Sequence, residues 1–172
     1  VWAWGCNSNG QLGDGTNVDK RTPVRIEGLY GIIAIAAGAK HSLALRNDGT
    51  VWAWGYNYYG QLGNGSTSNQ NSSPLKVNDI KNAVLVAAGK AHSLALLSDG
   101  TVWTWGCNSN GQLGDGTYKN NPTPVLVQDL NGASSIAAGA NHSLAIKSDG
   151  TVWAWGYNYY GQLGNGTSKG SE

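Results

Sequence analysis

Short apolar stretches of strand length alternate with polar, glycine-broken stretches along the chain, and the alternation repeats. Val-Trp-x-Trp-Gly begins at Val1, Val51, Val102 and Val152, in steps of 50, 51 and 50 residues. Between these marks a fixed order recurs: a Pro-led apolar piece (TPVRI, SPLKV, TPVLV), an apolar run ending in Ala-Ala-Gly, and HSLAL or HSLAI. Each piece has the length and β-branched or aromatic character of a strand. Asp48-Gly49, Asp99-Gly100 and Asp149-Gly150 separate the HSLAL-type and VWxW-type pieces. A tight hairpin needs positive φ, which Asp-Gly tolerates, so Gly49, Gly100 and Gly150 make the two strands antiparallel neighbours. Side chains alternate across a strand, so Trp52 and Trp54, like Trp103 and Trp105, share one face while Val and Ala take the other. Each unit therefore presents an aromatic wall to the next unit. Four antiparallel strands about every fifty residues, with large rings facing a neighbouring unit, predict an all-β fold of β-propeller blades.

The connection after each VWxWG strand is long and comes in two versions. YNYYGQLGNG at Tyr56 to Gly65 returns unchanged at Tyr157 to Gly166, whereas Cys6 to Gly15 and Cys107 to Gly116 read CNSNGQLGDG. The shared frame serves the fold, and the letters that vary are free to serve recognition. Tyr56, Tyr58, Tyr59, Tyr157, Tyr159 and Tyr160 are the candidate partner-binding residues, because tyrosine on a rigid loop gives large contact area at low entropic cost. Ser8, Asn9, Ser109 and Asn110 stand where Tyr58, Tyr59, Tyr159 and Tyr160 stand, so those rings are dispensable to the frame. The alternation makes the chain nearly a two-unit module written twice.

The piece AAGAKHSLALRNDGTVWAWGYNYYGQLGNG resembles the repeat of the regulator of chromosome condensation family, the RCC1-type repeat. The G-x-x-H-S-L-A-L, D-G-x-V-x-x-W-G and G-Q-L-G pieces carry the likeness in that order over essentially the whole chain. Kelch and WD-type propellers are disfavoured, since no Gly-Gly and no Trp-Asp pair occurs. The resemblance implies a ring of about seven four-stranded blades. This chain supplies strand material for about three blades plus one extra VWAWG strand at its start. It reads as a single repeat domain over 1–172, with repeats of approximately 1–50, 51–101 and 102–151 and a partial repeat at 152–172. Either neighbouring sequence in a longer protein or association of copies would close the circle. The family is known for guanine-nucleotide exchange on a small nuclear GTPase, for chromatin contact and, in secreted bacterial relatives, for gripping enzymes with one face of the ring.

Composition narrows the function classes. Eleven Lys and Arg against ten Asp and Glu, never in runs, offer no stripe for a phosphate backbone, so no nucleic-acid partner is expected. Leu29 to Ala39, the longest stretch without strongly polar residues, is about half of a membrane-spanning helix, so no membrane insertion is expected. Nor does the start at Val1 read as a signal sequence. Cys6 and Cys107 occupy equivalent places in different repeats and are expected to be free thiols. His41, His92 and His142 recur in one frame on separate blades, too far apart to converge on a metal, and are expected to brace their own blades. Each is followed by a serine pointing to the opposite face, which argues against a Ser-His nucleophile. GQLGDG lacks the Lys and Ser or Thr of a phosphate loop. Asn64 and Asn165 replace Asp14 and Asp115, so no charge is required there.

These readings define a non-enzymatic scaffold with no catalytic, metal or cofactor-binding residues. It engages a protein partner, or itself, through the Tyr-rich loops. The alternatives are a carbohydrate-binding propeller using the same Tyr and Asn side chains, and an exchange factor for a small GTPase. Low charge, richness in Asn, Gly, Ser and Thr, and fresh repeats suggest a secreted or cell-surface bacterial protein.

Overall fold

The structure, a computed structural model, describes residues 1–171; Glu172, the last position of the partial repeat, lies outside the described residues. Thirteen strands follow one another with no helix among the described residues: β1 (Trp2–Gly5), β2 (Lys20–Arg25), β3 (Ile32–Ala37), β4 (His41–Arg46), β5 (Val51–Tyr56), β6 (Gln70–Lys76), β7 (Ala83–Ala88), β8 (His92–Leu97), β9 (Val102–Gly106), β10 (Asn121–Leu126), β11 (Ala133–Ala138), β12 (His142–Lys147) and β13 (Val152–Gly156). They form four antiparallel sheets, here called blades I to IV: β1-β2, β3-β4-β5-β6, β7-β8-β9-β10 and β11-β12-β13. The strand total matches three blades and one strand, but the leading VWAWG strand is not spare. It pairs with β2, Trp2 opposite Arg25. A blade begins at the Ala-Ala-Gly strand and ends at the Pro-led strand, so each VWxWG segment is the third strand of its blade.

The hairpins form for local reasons. Gly49 N–H donates to the Arg46 carbonyl at 3.0 Å, and Gly49 holds φ +76°. Asp48 does not adopt positive φ, as the Asp-Gly reading assumed; instead its carboxylate accepts from the Thr50 N–H and hydroxyl, at 3.0 and 2.6 Å. These bonds hold Asp48 below the usual carboxylate range, and the Thr101 and Thr151 bonds do the same for Asp99 and Asp149.

Successive blades stack face to face, with the first strands β3, β7 and β11 side by side. Leu43, Leu45, Val51 and Ala53 of blade II pack against Ala95 and Trp105 of blade III. Leu94, Leu96 and Val102 of blade III pack in turn against Ala145 and Trp155 of blade IV. The Trp-bearing face therefore meets the preceding blade, and the Val-Ala face meets the following one, the reverse of the direction expected from the sequence. Val51 and Val102 are fully buried, whereas the equivalent Val152 on the outer face of blade IV is 68% exposed.

Candidate functional site

The loops after β1, β5, β9 and β13 are built around one buried asparagine each: Asn7, Asn57, Asn108 and Asn158. Asn57 Oδ1 accepts the Leu62 N–H at 2.9 Å, while its Nδ2 donates to Ser66 O at 3.0 Å and to Asn64 Oδ1 at 3.3 Å. In the sister loop Asn7 Nδ2 donates to Asp14 Oδ1 at 3.0 Å. Either Asp or Asn supplies the acceptor oxygen, which explains why the two interchange. The asparagine was not singled out from sequence, although its presence in every copy of the loop was the available signal.

The loops after β1, β5 and β9 reach over the next blade. Gly65 N–H donates to the Pro122 carbonyl on β10 at 2.9 Å, and a Cβ on Gly60 would run into Pro122 itself. The loop also carries the acceptor for a clasp between blades. Gln61 O accepts from Ser93 Oγ and from Trp105 Nε1, both at 2.9 Å. Gln112 O does the same for Ser143 at 2.8 Å and Trp155 at 3.0 Å, and Gln11 O for Ser42 at 2.8 Å and Trp54 at 2.9 Å.

The histidines complete this clasp, and the structure corrects their expected placement. His41 Nε2 lies 3.0 Å from Ser93 Oγ and His92 Nε2 lies 3.0 Å from Ser143 Oγ, so each braces the following blade rather than its own. The serine next to each histidine does point the other way, but the stacking supplies a serine from the neighbouring blade. Ser93 has given its proton to Gln61 O, so His41 must donate its Nε2–H and carry no proton on Nδ1. That is the wrong polarity for a nucleophile, and no acid orients the ring. Nδ1 of His41 and of His92 are buried without a partner. Burial pushes His41 down to about 4; for His92, burial first and then the charges of His41 and His142 push it to about 3. Gly38 and Gly89 sit so close to these rings that a Cβ would overlap them, which accounts for the G-x-x-H-S spacing. His142, on the outer face of blade IV, is only half-buried.

The six candidate tyrosines gather into two matching clusters on blades II and IV. Tyr56 and Tyr58 stack at 6.3 Å, with Tyr59 edge-on to Tyr58 at 5.1 Å, and Lys40 Nζ lies 5.5 Å from the Tyr56 ring. Tyr157, Tyr159 and Tyr160 reproduce the arrangement at 6.4 and 5.0 Å. Tyr58, Tyr159 and Tyr160 are 57%, 67% and 81% exposed. Trp54, Trp105 and Trp155 are by contrast buried, and Trp52 and Trp103 are half-buried. Among the described residues no three His, Cys, Asp or Glu side chains gather as a metal site, and both cysteines are free thiols.

A fan of antiparallel blades, clasped by loop carbonyls and carrying exposed rings at the loop tips, defines an arc of a repeat-built β-propeller. The family model described as RCC1-like domain matches residues 1–172, and the chain belongs to that family. It is 36% identical over 121 residues to the human E3 ubiquitin-protein ligase HERC2, covering 68% of this chain and 2% of that protein. It is 31% identical over 118 residues to the human regulator of chromosome condensation, covering 66% of this chain and 28% of that one. Prp20p from Saccharomyces cerevisiae, whose structure was described together with its binding properties to Gsp1p and histones, superposes with a TM-score of 0.88 at 28% identity. That match covers 100% of this chain and 44% of Prp20p. The chain thus spans a small fraction of HERC2, under a third of the human regulator of chromosome condensation and under half of Prp20p.

Proposed function

We propose that this chain is an arc of a non-enzymatic β-propeller scaffold that recognises a protein partner through the Tyr56-Tyr58-Tyr59 and Tyr157-Tyr159-Tyr160 loops. The supporting observation is that the loop frame rests on Asn57, Asn158 and the glycines, while Tyr58 and Tyr159 stand exposed beyond it. Rigidly seated, half-desolvated rings are the contact type that dominates interface energetics. The likeness to Prp20p supports a protein as the partner class. A place of action outside the cell or at its surface belongs to this reading on compositional grounds, with charged residues at 12%. The three relatives above are eukaryotic and lend no support to a bacterial origin.

Exchanging Tyr58 and Tyr159 for Ser, and Tyr59 and Tyr160 for Asn, puts the residues of the sister loops at those four positions. Folding stays intact and capture of the partner from a native extract is lost; an unchanged set of captured proteins, read by quantitative mass spectrometry, refutes the assignment. Guanine-nucleotide exchange is the second reading, favoured by that same likeness. Accelerated nucleotide release from a small GTPase on mixing would carry it.

A further inference from the structure

The loops of blades III and IV line an open cleft of about 270 Å³ that shares Tyr157 and Tyr159 with the protein-docking reading and adds Tyr118 to them. Ser109, Asn110 and Tyr118 line it from blade III, and Tyr157, Tyr159 and Ser168 from blade IV; no Lys, Arg, Asp, Glu or His takes part. Three tyrosines therefore border a hollow free of charged side chains. Tyr157 and Tyr159 are stacked at 17°, and Tyr118 is 56% exposed opposite them. The phenol oxygens of all three tyrosines and the Ser168 hydroxyl make no hydrogen bond within the described residues. Asn110 uses only its amide nitrogen, on Ser109 at 3.3 Å, which leaves the amide oxygen free. Tyr118 has no counterpart in the first unit, where the equivalent position is Asn17. Asn158 and the bridge between Gly156 and Ser171 fix the blade IV wall, so the cleft sits on stapled backbone rather than on a free tail.

The chemistry of the lining selects a ligand class. An ionic ligand finds no countercharge in the cleft. A purely apolar one would cover four hydroxyls and an amide oxygen without offering them a hydrogen-bond partner. A pyranose ring meets both demands: its C–H faces lie on the tyrosines and its hydroxyls exchange hydrogen bonds with the Ser, Asn and Tyr oxygens. We propose that the blade III/IV cleft is a binding subsite for a neutral oligosaccharide, separate from the Tyr58-Tyr59 surface of blade II.

The test is titration of the whole chain with cellohexaose, maltohexaose, chitohexaose and mannohexaose, and with polygalacturonate fragments as the acidic control. Binding is read by saturation-transfer NMR and calorimetry. At least one neutral sugar binds saturably, and Tyr118→Asn weakens it about tenfold, the loss of one aromatic contact. Tyr159→Ser weakens it as well, and both variants keep the wild-type unfolding midpoint because the sister loops already carry those residues. No binding by any neutral sugar, binding of the acidic fragments alone, or affinity unchanged in both variants overturns the proposal. Tyr118 lies outside the protein-docking swap, so failure here leaves the capture result standing, and loss of capture in a Tyr58→Ser, Tyr59→Asn variant leaves sugar binding intact.

Discussion

Replacing Ser93 by alanine removes one oxygen from the interface between blades II and III and strands the group that depended on it. Ser93 Oγ accepts the His41 Nε2–H at 3.0 Å and donates to Gln61 O at 2.9 Å, and both partners are fully buried. After the change Gln61 O still holds Trp105 Nε1, but His41 Nε2–H faces carbon. A lost bond costs about 1 kcal/mol and a buried donor left unsatisfied about 1–3 kcal/mol, so Ser93→Ala destabilises by about 2–4 kcal/mol. Ser42 is the internal control. It sits in the same HSLAL frame and donates to Gln11 O at 2.8 Å, yet no histidine of blade I reaches it, so Ser42→Ala costs about 1 kcal/mol. Urea unfolding followed by tryptophan fluorescence measures both, and hydrogen exchange at β8 locates the loss at the clasp. Equal effects from the two substitutions would refute the reasoning, since the histidine would then contribute nothing through Ser93.

Acid should loosen the same clasps. His41 is held to about 4 in the folded chain against 6.5 in the unfolded one, so the unfolded state binds more protons between those values and stability falls as pH drops through that window. The loss from His41 reaches about 3 kcal/mol near pH 4 and is absent above about pH 6.5. His92, held to about 3, acts in the same direction, and a His41→Gln, His92→Gln variant flattens the urea midpoint between pH 7 and 4.5. Gly89→Ala puts a Cβ into the His92 ring in a packed interface and destabilises by about 3 kcal/mol, with a smaller effect from Gly28→Ala, where strain at positive φ acts in open space. Wild-type midpoints for Gly89→Ala would show that the ring moves aside.

How much the sequence revealed depended on the range of the interaction. The hairpin at Asp48-Gly49, the antiparallel pairing of β4 with β5 and the Trp alternation are decided within a few residues, and all are legible from letters and spacing, although the Asp48 bonds to Thr50 that fix the turn are not. The loop frame was legible as an invariant, though its cause, a buried asparagine bonded five residues ahead, was not. The tyrosines could be picked out as surplus because two versions of one loop stand in the same chain. Their gathering into stacked and edge-on clusters follows the path of a single loop, whereas the placing of Tyr118 on the cleft beside the second cluster depends on how neighbouring loops sit and has no local signature.

The sequence by itself determined the period, the hairpins and the all-β class, because turn chemistry and side-chain alternation act between near neighbours. Only the tertiary structure decided where a blade begins, which way its tryptophans face, and that His41 meets a serine far along the chain. Those outcomes belong to blade-on-blade packing. A strand's two faces are chemically distinct, but nothing within fifty residues says which neighbour each will cover until the blades are stacked and the buried donors find their acceptors.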